Sequence, residues 1–215
     1  MYTWQDINES SLVNTASISL HDAHLTAHGT QRCNRYRATW ELTTSPGWIT
    51  RSVQVQVAGE GWERSLDLRR GNDGTWVDKV SLSGTPPTDL AAPGIGAGVD
   101  LTRALDVDLG LCPVTNTMPI RRLGLLEGTV PRTGLLMAWV DMPSLRVIAS
   151  DQYYASVDGS SVSYVSGTRE VDVVLGVDAD GVVVDYPGLA QRISRSFASL
   201  RPNSPDSCGA DRTRS

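Results

Sequence analysis

Apolar and polar residues alternate with a period of two along most of the chain. Tyr36, Ala38, Trp40 and Leu42 fall on one face of an extended run, and Arg37, Thr39 and Glu41 fall on the other. This pattern predicts a strand with one buried face. It recurs in Val53-Gln54-Val55-Gln56-Val57 and in Leu66-Asp67-Leu68-Arg69, with the turn formers Ala58-Gly59-Glu60-Gly61 between them. Asn72-Asp73-Gly74, Asp158-Gly159-Ser160 and Asp178-Ala179-Asp180-Gly181 each sit between β-rich runs, as hairpin turns do. The expectation is an all-β, mostly antiparallel fold built of meanders.

Helical signals are few. Residues 99–105 fit a short turn, and residues 187–200 predict a helix with Pro187 near its first turn. Leu189, Ile193, Phe197 and Leu200 would cover one face of that helix, which would close over the sheet as a lid. Residues 84–98, rich in Pro, Gly and Ala, predict a long loop between two groups of strands. From Pro202 onward almost nothing is apolar, so the expected organisation is a single domain over 1–200 and a disordered tail over 201–215.

Composition narrows the partners. A length of 215 residues suits one β domain, and a hydrophobic fraction of 40% supplies a core. Six Trp and six Tyr against one Phe mean that the aromatic surface mostly carries a polar edge. A net charge of -5 and a pI near 5.1 leave no basic excess, which argues against nucleic acid or an anionic membrane as main partner. No stretch is apolar enough to span a bilayer, and Met1-Tyr2-Thr3-Trp4-Gln5-Asp6 is neither basic nor apolar, so a cytoplasmic protein is expected. Cys33, Cys112 and Cys208 are far apart and odd in number, which reads as free thiols.

Familiar chemical motifs are incomplete. His21, His24 and His28 cluster, but the alternation of Ile18 and Leu20, the turn-like Asp22-Ala23 and the alternation of Leu25 and Ala27 predict a hairpin that does not converge the rings on a metal. Asp106-Val107-Asp108 places two carboxylates on one strand face. Gly94-Ile95-Gly96-Ala97-Gly98 lacks the spacing of a dinucleotide loop, and Asp178 to Gly181 lacks the rest of a calcium loop. With no G-x-S-x-G elbow and all histidines in one segment, no cofactor and no catalytic motif are expected.

Arg121 and Arg122 stand side by side in a β-like run, so one should face each side of the sheet. The inward guanidinium then needs a carboxylate such as Asp106, Asp108 or Asp141. Residues 106–123, DVDLGLCPVTNTMPIRRL, resemble the glycolipid-binding family of bacterial proteins, whose pattern runs D-x-D-L and then T-P-x-T-N-T-x-P-I-R-R-L. The resemblance continues in Ala138-Trp139-Val140-Asp141-Met142-Pro143-Ser144-Leu145, in Gln152-Tyr153-Tyr154 and from Val177 to Leu189, and covers most of residues 15–192. Cys112 stands where the family usually has Thr, Ala104 replaces a common Cys, and Ser17 takes the place of a frequent Glu.

The resemblance implies a spiral β-roll or half-open β-barrel with an apolar interior and a polar mouth, holding a glycolipid or other amphiphile. Trp40, Trp139, Tyr154 and Tyr186 could line the cleft, while Arg121, Arg122, Asn116 and Gln152 offer donors to a head group, with Asp108 and Asp141 beside them. Two rivals remain: an enzyme using Asp108 and Asp141 as an acid/base pair, and a scaffold whose interior is filled by side chains.

Overall fold

The computed structural model describes residues 1–195. Seven strands follow one another as a meander: β1 (Tyr2–Asp6), β2 (Val13–Leu20), β3 (Leu25–Arg32), β4 (Tyr36–Ser45), β5 (Ile49–Gly59), β6 (Trp62–Arg70) and β7 (Trp76–Gly84). The short β8 (Gly94–Ile95) and β9 (Asp106–Leu109) come next, then a 3-10 turn over Pro113–Asn116 and helix α1 (Thr117–Leu123). A second meander comprises β10 (Thr133–Val140), β11 (Arg146–Asp158), β12 (Ser161–Ser166), β13 (Val171–Val177), β14 (Val183–Tyr186) and β15 (Ala190–Arg195). Antiparallel pairing of β1 with β15 joins the two meanders into one sheet, which is not closed into a barrel.

The sheet curls on itself. β9 pairs in parallel with β10, setting Asp106 opposite Met137 and Asp108 opposite Trp139, and all four residues of β9 are buried. Val107, Leu109, Ala138 and Val140 pack into the core formed by the inner faces of β2 to β6. Met137, on the other face, packs with Tyr154, Tyr164, Leu175 and Tyr186 in a second core. The β9–β10 end of the sheet therefore lies inside the curl with a core on each side, as a spiral roll requires. Across the seam, the Thr50 N–H donates to the Leu105 carbonyl at 3.0 Å and the Val107 N–H donates to Thr50 Oγ1 at 3.0 Å.

Two expectations change. The chain over Ala190–Arg195 is strand β15, not helix, because pairing with β1 occupies its backbone from Ala190 opposite Asp6 to Arg195 opposite Tyr2. Ile193 is 58% exposed there, so the helical face does not form; residues 196–200 and the tail over 201–215 lie outside the described residues. Arg121 and Arg122 lie in the last turn of α1, not on a strand. Pro119 falls in the first turn of α1, where its missing N–H costs nothing, and Gly124 ends the helix in the left-handed region at φ 63°. Trp40 is buried on β4, with its indole lying across Gly29, and lines a cavity with Thr39, Gln54 and Gln56. The histidine segment does form the β2–β3 hairpin, in which His21 and His24 stack with centroids 4.4 Å apart.

Candidate functional site

Burying β9 on both faces takes the carboxylates of Asp106 and Asp108 out of water, and each must then be satisfied within the protein. Asp106, 1% exposed, is gripped by both terminal nitrogens of Arg122 at 2.5 Å, a bidentate pair that ties α1 to the sheet. Burial pushes the Asp106 carboxyl upward, and the Arg122 guanidinium opposes that push. Its neighbour Arg121 places its guanidinium 5.0 Å from the Trp48 ring centroid.

Asp108 has a richer setting. Its Oδ1 accepts from the Thr115 hydroxyl at 2.9 Å, and its Oδ2 accepts from Gln152 Nε2 at 2.6 Å and from Arg169 Nη2 at 3.4 Å. The Tyr154 hydroxyl donates to Asn116 Oδ1 at 2.9 Å and lies 3.2 Å from Gln152 Oε1. Arg169 also donates to the Tyr164 hydroxyl at 3.0 Å and covers the face of Trp139, 5.3 Å from its centroid. Tyr186 meets Tyr164 edge-on at 5.8 Å. Strands β9, β10, β11, β12 and β14, the 3-10 turn and the β12–β13 turn thus deliver one polar cluster.

Burial shapes its chemistry. The Tyr154 hydroxyl is held well above its ordinary value by burial, that of Tyr186 is pushed up by burial and then by Tyr164, and that of Tyr164 is pushed up to about 12 by burial and then by Asp108. All three remain neutral donors at physiological pH. The cluster also holds polar atoms without a partner: Trp139 Nε1, Arg169 Nε, Ser150 Oγ and Ser166 Oγ are buried and bond to nothing. Ser150 precedes Gln152 by two residues on β11, and Ser166 stands opposite Gln152, so these atoms share its face. Buried polar groups are normally satisfied, so these spare atoms on the face of Gln152 are candidates to bond an ordered water or a polar ligand. Beside it, Leu135, Val171 and Val173 are half-buried, as are Leu123, Leu126 and Val130 on and after α1, and all six pack against the second core.

The structure therefore brings Asp108, Asn116, Trp139, Gln152, Tyr154 and Tyr186 together. Arg121 and Arg122 do not join them, being engaged with Trp48 and Asp106. Asp141 lies in the turn between β10 and β11, where its carboxylate accepts from the Ser144 hydroxyl. Thr115, Tyr164 and Arg169 were missed. Thr115 was legible in principle, three residues past the buried Cys112 in the matched motif, but Arg169 reads locally as a solvated turn residue.

Elsewhere, shallow cavities of about 380 and 370 Å³ lie on the outer face of β2 to β7 and share Thr39 and Gln56. The hydroxyls there bond to one another, Thr15 to Thr30 at 2.8 Å and Ser65 to Ser81 at 2.6 Å. Arg64, 5% exposed, lines the second of them, and its Nη1 donates to the Ala91 and Ser144 carbonyls.

The family model described as "Putative glycolipid-binding" matches residues 1–192. The chain belongs to this family. A solved structure similar to it is that of a DUF1089 family protein from Pseudomonas aeruginosa, 28% identical, with a TM-score of 0.64 over 84% of this chain and 92% of that one. No curated protein matches. No helix among the described residues is long and apolar enough to cross a membrane.

Proposed function

We propose that this member of the glycolipid-binding family is a cytoplasmic binder, not a catalyst, and holds an amphiphile with its polar head at the Asp108 cluster and its apolar chain along the half-buried strip of Leu126, Val130, Leu135, Val171 and Val173. The observation that carries this reading is the set of unpartnered buried atoms on the face of Gln152, Trp139 Nε1, Ser150 Oγ and Ser166 Oγ, next to that strip. A sugar or similar head would satisfy them, and each methylene of the tail covered by the strip contributes about 0.8 kcal/mol. The rival acid/base pair is poorly supported, since Asp141 is spent on the β10–β11 turn while Asp108 is held by Thr115, Gln152 and Arg169.

Mass spectrometry of an organic extract from the purified protein tests the reading. The parent should carry an amphiphile that Trp139→Ala protein lacks at unchanged fold. An empty parent that also fails to take up added dodecyl maltoside would overturn it.

A further inference from the structure

Arg169, which covers the candidate site, is held to Asp108 less closely than Gln152 and Thr115 are. Arg169 lies in the β12–β13 turn, next to Glu170, whose φ of 52° is unusual for a residue with a side chain. Its contact with Asp108 is 3.4 Å, against 2.6 Å for Gln152 and 2.9 Å for Thr115, so Asp108 keeps two short hydrogen bonds without it. Its side chain is 23% exposed, whereas that of Asp108 is 12% exposed. Its guanidinium lies over the Trp139 ring, the surface on which a sugar ring would stack.

We propose, resting on the binding reading above, that Arg169 is a plug: its guanidinium occupies the place of a neutral pyranose head group, which stacks on Trp139 and hydrogen-bonds to Asp108 and Gln152 when the β12–β13 turn swings outward. The charge balance selects the ligand. With Arg169 withdrawn, the site presents the Asp108 carboxylate, the Gln152 amide and the Tyr164 hydroxyl. Sugar hydroxyls can donate to that carboxylate, while a phosphate or carboxylate head would be repelled by it. Removing a plug raises the fraction of binding-competent protein, and apparent affinity rises by the same factor.

Calorimetric titration with octyl β-D-glucopyranoside, and with octyl phosphate as the anionic counterpart, tests the plug on the parent and on Arg169→Ala and Arg169→Lys. Arg169→Ala should bind the glucoside on the order of tenfold more tightly than the parent, as expected for loss of one cation–π contact and one loose ion pair. Arg169→Lys should fall between the two, and octyl phosphate should bind none of them well. Weaker or unchanged glucoside binding by Arg169→Ala, with the parent binding, would overturn the plug and leave the binding reading intact. So would octyl phosphate binding that Arg169→Ala abolishes, which would make the arginine an anion ligand. If none of the proteins binds either probe, the reading on which the plug rests fails with it.

Discussion

Replacing Arg122 by Gln removes the cation that grips Asp106 and leaves a carboxylate that is 1% exposed without its ion-pair partner. The two parallel hydrogen bonds, both 2.5 Å, anchor α1 against the strand buried on both faces. Removing one partner of a buried pair costs about 3 to 5 kcal/mol, because the remaining charge keeps its desolvation cost. For a chain of this size each kcal/mol lowers the melting temperature by about 2 to 4 °C, so a fall of about 6 to 20 °C is expected by calorimetry near neutral pH. Arg121→Gln is the control. It forfeits the contact with Trp48 and should cost about 0.5 to 1 kcal/mol. The deficit of the Arg122 variant should also shrink in acid. With the guanidinium gone, burial and the neighbouring Asp108 carboxylate, partly opposed by Arg70, raise the Asp106 folded-state value further above the unfolded one. A raised acid stabilises the folded form as pH falls through that value, so the variant recovers toward the parent between neutral pH and about 4. Equal melting of the two arginine variants, or a deficit for Arg122→Gln that does not change with pH, would refute this account of the pair.

Tyr36, Tyr154, Tyr164 and Tyr186 all have folded-state values raised above the ordinary 10, chiefly by burial, so their stabilisation is intact below pH 10 and is lost as pH rises through the folded values. Each should remove about 1.4 kcal/mol per pH unit in that window, and the phenolate absorbance of these four should rise in one cooperative step with unfolding; gradual ionisation of any of them in the folded protein would contradict it. Gly29→Ala would bring a Cβ 2.2 Å from the Thr15 carbonyl oxygen and 2.5 Å from Trp40, so an overpacking cost of about 1 to 3 kcal/mol is expected in denaturant titration. Gln152→Leu takes the shortest donor from Asp108 and the Tyr154 hydroxyl's second acceptor, and should cost about 1 to 3 kcal/mol while also weakening amphiphile uptake.

The strands were legible because one face of each meets water: β4 runs Tyr36, Ala38, Trp40, Leu42 inward with Arg37, Thr39 and Glu41 outward. β9 was legible only as a strand, since its burial on both faces depends on the sheet curling around it, which no local pattern encodes. α1 was hidden by its brevity, its four buried residues reading equally well as strand. β15 was misread because Leu189 and Ile193 have helical spacing, while the deciding factor, an N-terminal strand in need of a partner, lies far away in sequence. The candidate site divides in the same manner. Asp108, Asn116, Gln152 and Tyr154 sit in segments with strong composition, but Arg169 reaches Asp108 across 61 positions from a turn whose own residues give no sign of it.

The most direct test of amphiphile binding at the Asp108 cluster is photo-crosslinking with an alkyl glucoside that carries a diazirine at the end of its chain, followed by peptide mapping. The account predicts adducts confined to peptides bearing Leu126, Val130, Leu135, Val171 or Val173, and their loss in Trp139→Ala protein of parental stability. Adducts on the outer face around Thr39 and Gln56, or labelling that Trp139→Ala does not reduce, would contradict it.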